Sequence, residues 1–315
     1  MKKNTNQLRW YLLFGLTILL IATGVYLASQ KINYKWQWNR IVPYIVNTSP
    51  IDIIARDDGR IKIEDNGNII VTYYNAEKPR LISDFTQSFV SNGDAIFEGD
   101  LIAQQKNISM GILIRGLLIT LDLSIISLFF AIIIGLIVAL MRISLNPLTK
   151  NLAFLYIEII RGTPLLVQIF IAYFFLGTIF DLDRFTAGII ALSGFSGAYV
   201  AEIIRSGIQS IPPGQMEAAR SLGMTYTKAM TYVILPQAFK RTLPPMAGQL
   251  INLIKDSSLV SVISITDLTK AGREAVSGSF ATFEVWFIVA GLYLVLTASL
   301  SWAIQRIEKK VSNND

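Results

Sequence analysis

Neither cysteine nor histidine occurs anywhere in the 315 residues. Without cysteine there is no disulfide frame and no thiolate metal site, and the redox compartment cannot be read. Losing both residue types also removes the commonest transition-metal ligands and every Ser/His/Asp or Cys/His nucleophile arrangement, so hydrolase and metalloenzyme chemistry fits poorly. No catalytic residue and no metal site is expected. Charge is scarce as well: 16% of residues are charged and 52% hydrophobic. With a positive mean hydropathy, this is the balance of an integral membrane protein.

A membrane span takes about 20 mostly apolar residues. Six runs qualify: Trp10 to Leu27, Ile112 to Leu140, Leu152 to Phe175, Ala187 to Ile204, Leu243 to Ile265 and Phe283 to Ile304. The first is long for a signal-peptide core and meets no small-residue cleavage site near Gln30 and Lys31, so it reads as a retained signal anchor covering residues 1–29. If six spans alternate, one side collects Lys2, Lys3, Arg9, Arg142, Lys150, Arg205, Arg220, Lys228, Lys240, Arg241, Arg306, Lys309 and Lys310. By the positive-inside rule that side is the cytoplasm, and both termini lie there. The basic excess is thus a topology signal, and no nucleic-acid partner is expected.

Residues 30–109 fall outside, as a small soluble insertion. Over residues 51–100 there are ten acidic and five basic side chains, against a basic remainder. Within it, GRIKIEDNGNIIVTYY alternates Ile61 and Ile63 with charge, turns at Asn66-Gly67 and continues as a β-rich run, which is a hairpin pattern. It reads equally as a structural appendage or as a docking surface for an external partner, and it carries no chemistry.

Charge at membrane depth is costly, so polar groups inside the runs are functional candidates. The third run holds Glu158 and then Arg161, Gly162, Thr163 and Pro164, where glycine and proline loosen a helix and free backbone groups to line a cavity. Glu158 and Arg161, three apart, also read simply as an ion pair. In the fourth run Ser196, Tyr199 and Glu202 share a face, with Gly194, Gly197 and Ala198 permitting close helix contact. The fifth places Gln249, Asn252 and Asp256 in a stripe beside Lys255, Ser257 and Ser258. Arg115 and Asp122, toward the outer end of the second run, read as snorkelling side chains.

Between two apolar runs lies EAARSLGMTYTKAMTYVILP, Glu217 to Pro236. Helix formers run to Leu222, Gly223 breaks them, and a second helical pattern runs from Thr225 until Pro236 interrupts it: two short helices with a hinge, outside the hydrocarbon. This stretch resembles the EAA loop of ATP-binding-cassette (ABC) importer permeases, with Val233 where the family usually has isoleucine. LYIEIIRGTPLLVQIFIAYF, SGAYVAEIIRSGIQSIPPGQMEAARSLGM, INLIKDSSLVSVISITDL and FEVWFIVAGLYLVL are similar to the polar amino-acid branch, the histidine, glutamine and glutamate type. The resemblance covers about Ile112 to Lys310. Members of that branch commonly have five spans and lack the outer insertion.

The resemblance implies an all-α polytopic membrane protein of about six transmembrane helices, type I ABC importer permease-like, with a small β-containing extracytoplasmic insertion. The permease domain would be residues 110–310, with a cytoplasmic coupling loop over 208–236 and a tail at 311–315. It implies coupling to a separate ATPase through Gly214, Glu217, Ala218, Ala219, Gly223, Leu235 and Pro236. A substrate pathway would run by Arg161, Gly162, Thr163, Pro164, Ser196, Tyr199, Glu202, Asn252, Lys255, Asp256 and Ser257. The implied partners are an ABC ATPase dimer, a second permease in a homo- or heterodimer, an extracytoplasmic substrate-binding protein and an amino acid. No cofactor is expected on this chain, ATP and Mg being bound by the ATPase: no G-x-x-x-x-G-K-[ST] loop is present. The rival readings are a membrane-anchored ligand receptor, which does not need the loop, and an ion-coupled secondary transporter, which would show inverted repeats.

Overall fold

The computed structural model describes residues 2–76 and 78–312. The chain divides into two units, Met1–Arg40 and Ile41–Asp315. The first is helix α1, Lys2–Lys31, of which Arg9–Lys31 is long and apolar enough to cross a membrane. It is followed by a single 3-10 turn at Trp38–Arg40 and a ladder of rings, Tyr34 to Trp36 at 5.2 Å and Trp36 to Trp38 at 5.6 Å. Rings of this amphipathic kind favour a membrane–water boundary.

The second unit opens with a short helix, α2 (Val42–Ile45), and nine strands: β1 (Val46–Asn47), β2 (Ile51–Ile54), β3 (Gly59–Ile63), β4 (Ile69–Tyr73), β5 (Arg80–Ile82), β6 (Gln87–Ser88), β7 (Ala95–Ile96), β8 (Leu101–Gln105) and β9 (Ser109–Met110). They form antiparallel sheets in the orders β5-β4-β3-β7, β2-β8-β6 and β1-β9. The expected hairpin is β3–β4, with Ile61 opposite Val71 and Ile63 opposite Ile69. Its turn differs from a two-residue one. Gly67 N–H donates to the Glu64 carbonyl and Glu64 N–H to the Asn68 carbonyl, both at 2.9 Å, with Gly67 at φ +84. That is a three-residue loop closed by a left-handed glycine, the next most common hairpin connection. The alternate residues Ile61, Ile69, Val71 and Tyr73 turn inward onto Ile82, Ile96 and Ile102 and give the β region its own core.

Helices follow: α3 (Ile112–Ile143), α4 (Pro147–Gly162), α5 (Leu165–Phe170), α6 (Gly177–Phe180), α7 (Arg184–Gln209), α8 (Pro213–Ser221), α9 (Tyr226–Ala229), α10 (Leu235–Asp256), α11 (Leu268–Ser279) and α12 (Thr282–Ser312). At 1.5 Å per residue the 32 residues of α3 extend about 48 Å, beyond a hydrocarbon core. Among the described residues four helices are long and apolar enough to cross a membrane, or five if the bent pair α4 and α5–α6 is one span. The fifth expected run, Leu243 to Ile265, is not a single helix. The α-helix begins earlier, at Leu235, ends at Asp256, and gives way to a 3-10 segment, Ser257–Ile263. α10 is amphipathic and lies against α7, α3 and α12.

Small residues set the helix spacing. A Cβ at Gly135 would overlap Val200, one at Gly197 would meet Ile134, and one at Gly207 would overlap Thr242, so α3, α7 and α10 approach at glycine on one side of each contact. The β region is rooted in the same bundle. Ile41, buried, joins Leu113, Leu268, Ala271, Ala275 and Val285 in one core cluster. Gly111 N–H donates to the Ile45 carbonyl at 2.8 Å, and β1 pairs with β9, so the insertion leaves and returns at the head of α3. A Cβ at Gly111 would overlap the Tyr44 carbonyl, a backbone atom that cannot swing aside. Gly111→Ala should therefore lower stability by about 1–3 kcal/mol, read as a lower thermal midpoint of the detergent-purified chain. An unchanged midpoint would show that the root has room to shift.

Candidate functional site

The polar loop between α7 and α10 is two short helices around a glycine. α8 ends in a full Schellman cap: Gly223, at φ +83, donates its N–H to the Arg220 carbonyl at 3.0 Å, and Met224 donates to Ala219 at 3.2 Å. Only glycine reaches that left-handed conformation without steric cost, so the expected hinge has a physical cause. Thr225 then caps α9, its hydroxyl accepting from Lys228 N–H at 3.4 Å. The second helix does not stop at Pro236. The five residues Met230–Ile234 form a π turn and pass directly into α10. Proline lacks the N–H and its ring crowds the carbonyl four residues back; the wider turn relieves both at Pro236.

Gly214, Glu217, Ala218, Gly223 and Pro236 are exposed, Ala219 is buried and Leu235 half-buried. Leu222, at the hinge tip, is 85% exposed and Tyr232 71%. The other side of the loop is fastened to the bundle. Met216, Met230, Val233 and Leu235 pack against a core that includes Ile204, Ile208, Ile211 and Ile234. Arg241 Nη1 donates to the Ser210 carbonyl at 2.6 Å and to its hydroxyl at 3.1 Å, tying α10 to the end of α7. A force on α8 therefore reaches two long helices without a slack connection.

The expected break at Arg161 to Pro164 is present. α4 stops at Gly162, α5 starts at Leu165, and the two halves are bent by 105°. Thr163 and Pro164 are both extended, and Gly162, Thr163 and Pro164 are exposed. The carbonyls freed at the end of α4 find a partner that sequence reasoning missed: Gln168 Nε2 donates to Ile160 O at 2.8 Å, Thr163 O at 3.2 Å and Thr163 Oγ1 at 2.8 Å. The signal was a polar residue one turn past the break. A π turn, Ile171–Leu176, then continues toward α6.

Arg161 does not pair with Glu158. Its guanidinium lies over the ring of Tyr199 on α7, 5.3 Å from the centroid, a cation–π contact. Glu202, one turn on, is held by Arg205 through Nε at 3.1 Å to both oxygens and Nη2 at 2.7 Å, and Arg205 Nη1 reaches Gln209 at 2.6 Å. Spacing of three does make a pair here, in α7 rather than α4. Arg205, counted from sequence only as a loop charge, is the missed member. Ser196 is fully buried and accepts from Gln249 Nε2 of α10 at 3.4 Å, so part of the α10 stripe faces α7 and not a cavity. Tyr156 crosses from α4 to the Gly194 carbonyl at 2.6 Å.

Asn252, Lys255 and Asp256 occupy the end of α10, the first two exposed, and Ser257, buried, donates to the Ile254 carbonyl at 2.8 Å. Among the described residues no side-chain hydrogen bond engages Asn252, Lys255 or Asp256, and none joins them to Arg161, Tyr199 or Glu202. The sequence-expected residues thus fall into two groups, one along α4 and α7 and one at the end of α10. Among the described residues there is also no group of three or more acidic side chains placed to hold a metal ion.

A family model described as "binding-protein-dependent transport system inner membrane component" matches residues 131–313. The glutamine transport system permease protein GlnP of Escherichia coli strain K12 is 39% identical over 203 residues, 64% of this chain and 93% of that protein. The arginine transport system permease protein ArtQ of Bacillus subtilis is 38% identical over 205 residues, 64% and 94% respectively. A crystal structure of an amino acid ABC transporter with histidines superimposes with a TM-score of 0.60 at 44% identity, covering 63% of this chain and 94% of the other. The inward-facing MetNI methionine ABC transporter, 23% identical with a TM-score of 0.57, shares the fold. The chain belongs to the inner membrane components of binding-protein-dependent transport systems, in the polar amino-acid ABC permease family. It is the multi-pass permease of such a system, a transport component that works with ATPase and binding-protein partners.

The hinge yields a direct test. Gly223→Val forces a β-branched residue to φ +83, at a cost of about 1–2 kcal/mol. The expected outcome is a permease that still inserts but loses ATPase association; normal association in a pull-down would detach the hinge from coupling.

Proposed function

We propose that the chain forms the substrate pathway of an ATP-driven importer of a polar amino acid, working with a second permease, an ATPase pair and an external binding protein. The reading rests chiefly on the loop: α8 and α9 present Glu217 and Leu222 outward while their inner faces are packed on the bundle. A protein seated there can move α7 and α10 together. Two such loops, drawn together as the ATPases close on ATP, rock the paired permeases between inward and outward openings. Both termini and the loop lie in the cytoplasm, where the Lys and Arg of the short loops collect.

At membrane depth an amino acid has lost the water around its carboxylate and its ammonium, and the protein replaces it. Asp256 and Lys255 offer one charge of each sign at the end of α10, with no side-chain hydrogen bond among the described residues. Glu202 is already bound in two-fold fashion by Arg205 and has to exchange that partner to receive an ammonium. Asp256 is therefore the first choice for the ammonium. Lys255, Arg161 and the N–H groups freed at the α4–α5 break are the choices for the carboxylate.

The test is mild-detergent purification of the complex, reconstitution, and parallel assays of ATP hydrolysis and uptake. An ATPase should co-purify and be stimulated by one loaded binding protein. Asp256→Asn should lower uptake roughly 10-fold or more, the value of a charge-assisted hydrogen bond, with the complex still assembled. Glu217→Lys should abolish stimulation. Full uptake by Asp256→Asn would remove it from the path, and a chain that purifies without any ATPase, even after crosslinking, would overturn the importer reading.

A further inference from the structure

The unassigned feature with the clearest chemistry is the outer face of α11. Leu268, Ala271, Gly272 and Ala275 are buried on one side of this helix. On the other, Lys270, Arg273, Glu274 and Ser277 join Ser261 and Ser264 in lining an open depression of about 450 Å³. Two of its lining cations, with Arg184 of α7 beside it, converge on two backbone carbonyls. The Ser264 carbonyl accepts from Lys270 Nζ at 3.1 Å and Arg184 Nη1 at 3.3 Å, and the Ser261 carbonyl accepts from Arg273 Nη2 at 3.0 Å. These carbonyls end the 3-10 segment, with Ser264 itself at φ 64, so the cations meet the negative end of a helical dipole. Glu274, 3.5 Å from Lys270, is the acidic member of the group.

Position makes this more than a solvated face. α11 lies at the end of the bundle that carries the β region, since Ile41 is buried against it and Tyr44 Oη approaches Gly278. A face with this much charge does not lie against hydrocarbon. From the depression the 3-10 segment leads back to Asp256 and Lys255, seven residues or about 14 Å at 2 Å per residue. Arg273 has five N–H donors and uses one on the backbone, so it keeps donors for a carboxylate, and Glu274 can accept from an ammonium.

We propose that this depression receives the amino acid at the outer mouth of the permease, and that its excess of positive charge favours acidic and neutral amino acids over basic ones. The inference rests on the importer reading above and names its substrate class. A lysine or arginine substrate brings an extra cation into a field already positive, while a glutamate gains from it.

The experiment uses the reconstituted complex of permease, ATPase and binding protein, measuring uptake of glutamate, glutamine and arginine by wild type, Ser277→Glu and Ser277→Lys. Ser277 is exposed and, among the described residues, its hydroxyl donates to the Arg273 carbonyl in its own helix, so neither change removes a cation from the 3-10 segment. Glutamate or glutamine should exceed arginine roughly 10-fold in wild type. Ser277→Glu should shift the ratio of acidic and neutral to basic uptake downward and Ser277→Lys upward, each severalfold, with the difference shrinking at high salt. Arginine carried as well as glutamate, or one ratio across all three proteins, overturns the proposal while leaving the importer intact. A complex that carries none of the three but retains a stimulated ATPase also overturns it, and one with no ATPase removes the importer reading itself.

Discussion

A helix broken inside a bilayer must have its freed backbone groups satisfied by the protein, because lipid supplies no partner. The α4–α5 break meets part of that demand with two side chains, Thr163 Oγ1 donating to the Ile159 carbonyl at 2.8 Å. Gln168 reaches back to the carbonyls of Ile160 and Thr163 across the 105° bend. The bend aims α5 and α6 away from α4 and leaves Arg161 free to lie over Tyr199. Outside the hydrocarbon a different cause acts at the π turn before Pro236, where a wider helix accommodates proline's missing donor and its ring without ending.

Close contact at glycine then makes the remaining helices act together. Lipid gives helices no hydrophobic reason to associate, so packing and polar links do the work. Gly135, Gly197 and Gly207 let α3, α7 and α10 approach, Gln249 reaches Ser196, and Arg241 binds Ser210. The polar loop hangs from this unit at both ends. Its packing against the bundle and its exposed outer residues suit the coupling role proposed above, with the Gly223 cap fixing the angle between the two short helices.

At the opposite end the β region is continuous with the bundle through Ile41, Tyr44 and Gly111. The relatives reported above cover about two thirds of this chain, and the family match begins at residue 131, past this root. The root, Ile41 and Tyr44, lies against α11, the helix that carries the charged depression.

Much of this was legible in the residues alone. Apolar run length marked the long helices, Gly223 marked the hinge, the alternation around Ile61 marked the hairpin, and Arg161 to Pro164 marked the broken helix, because each is a local property of period, steric freedom or a missing donor. Spacing could not decide which charge meets which. Glu158–Arg161 and Glu202–Arg205 have the same separation, yet only the second pair forms, since Arg161 finds the Tyr199 ring on another helix. Nor could local rules see that a helix continues through Pro236, that Gln168 closes a break, or that three cations from two helices meet on Ser261 and Ser264. Those outcomes depend on the register between helices, which local sequence rules do not reach and only the tertiary packing fixes.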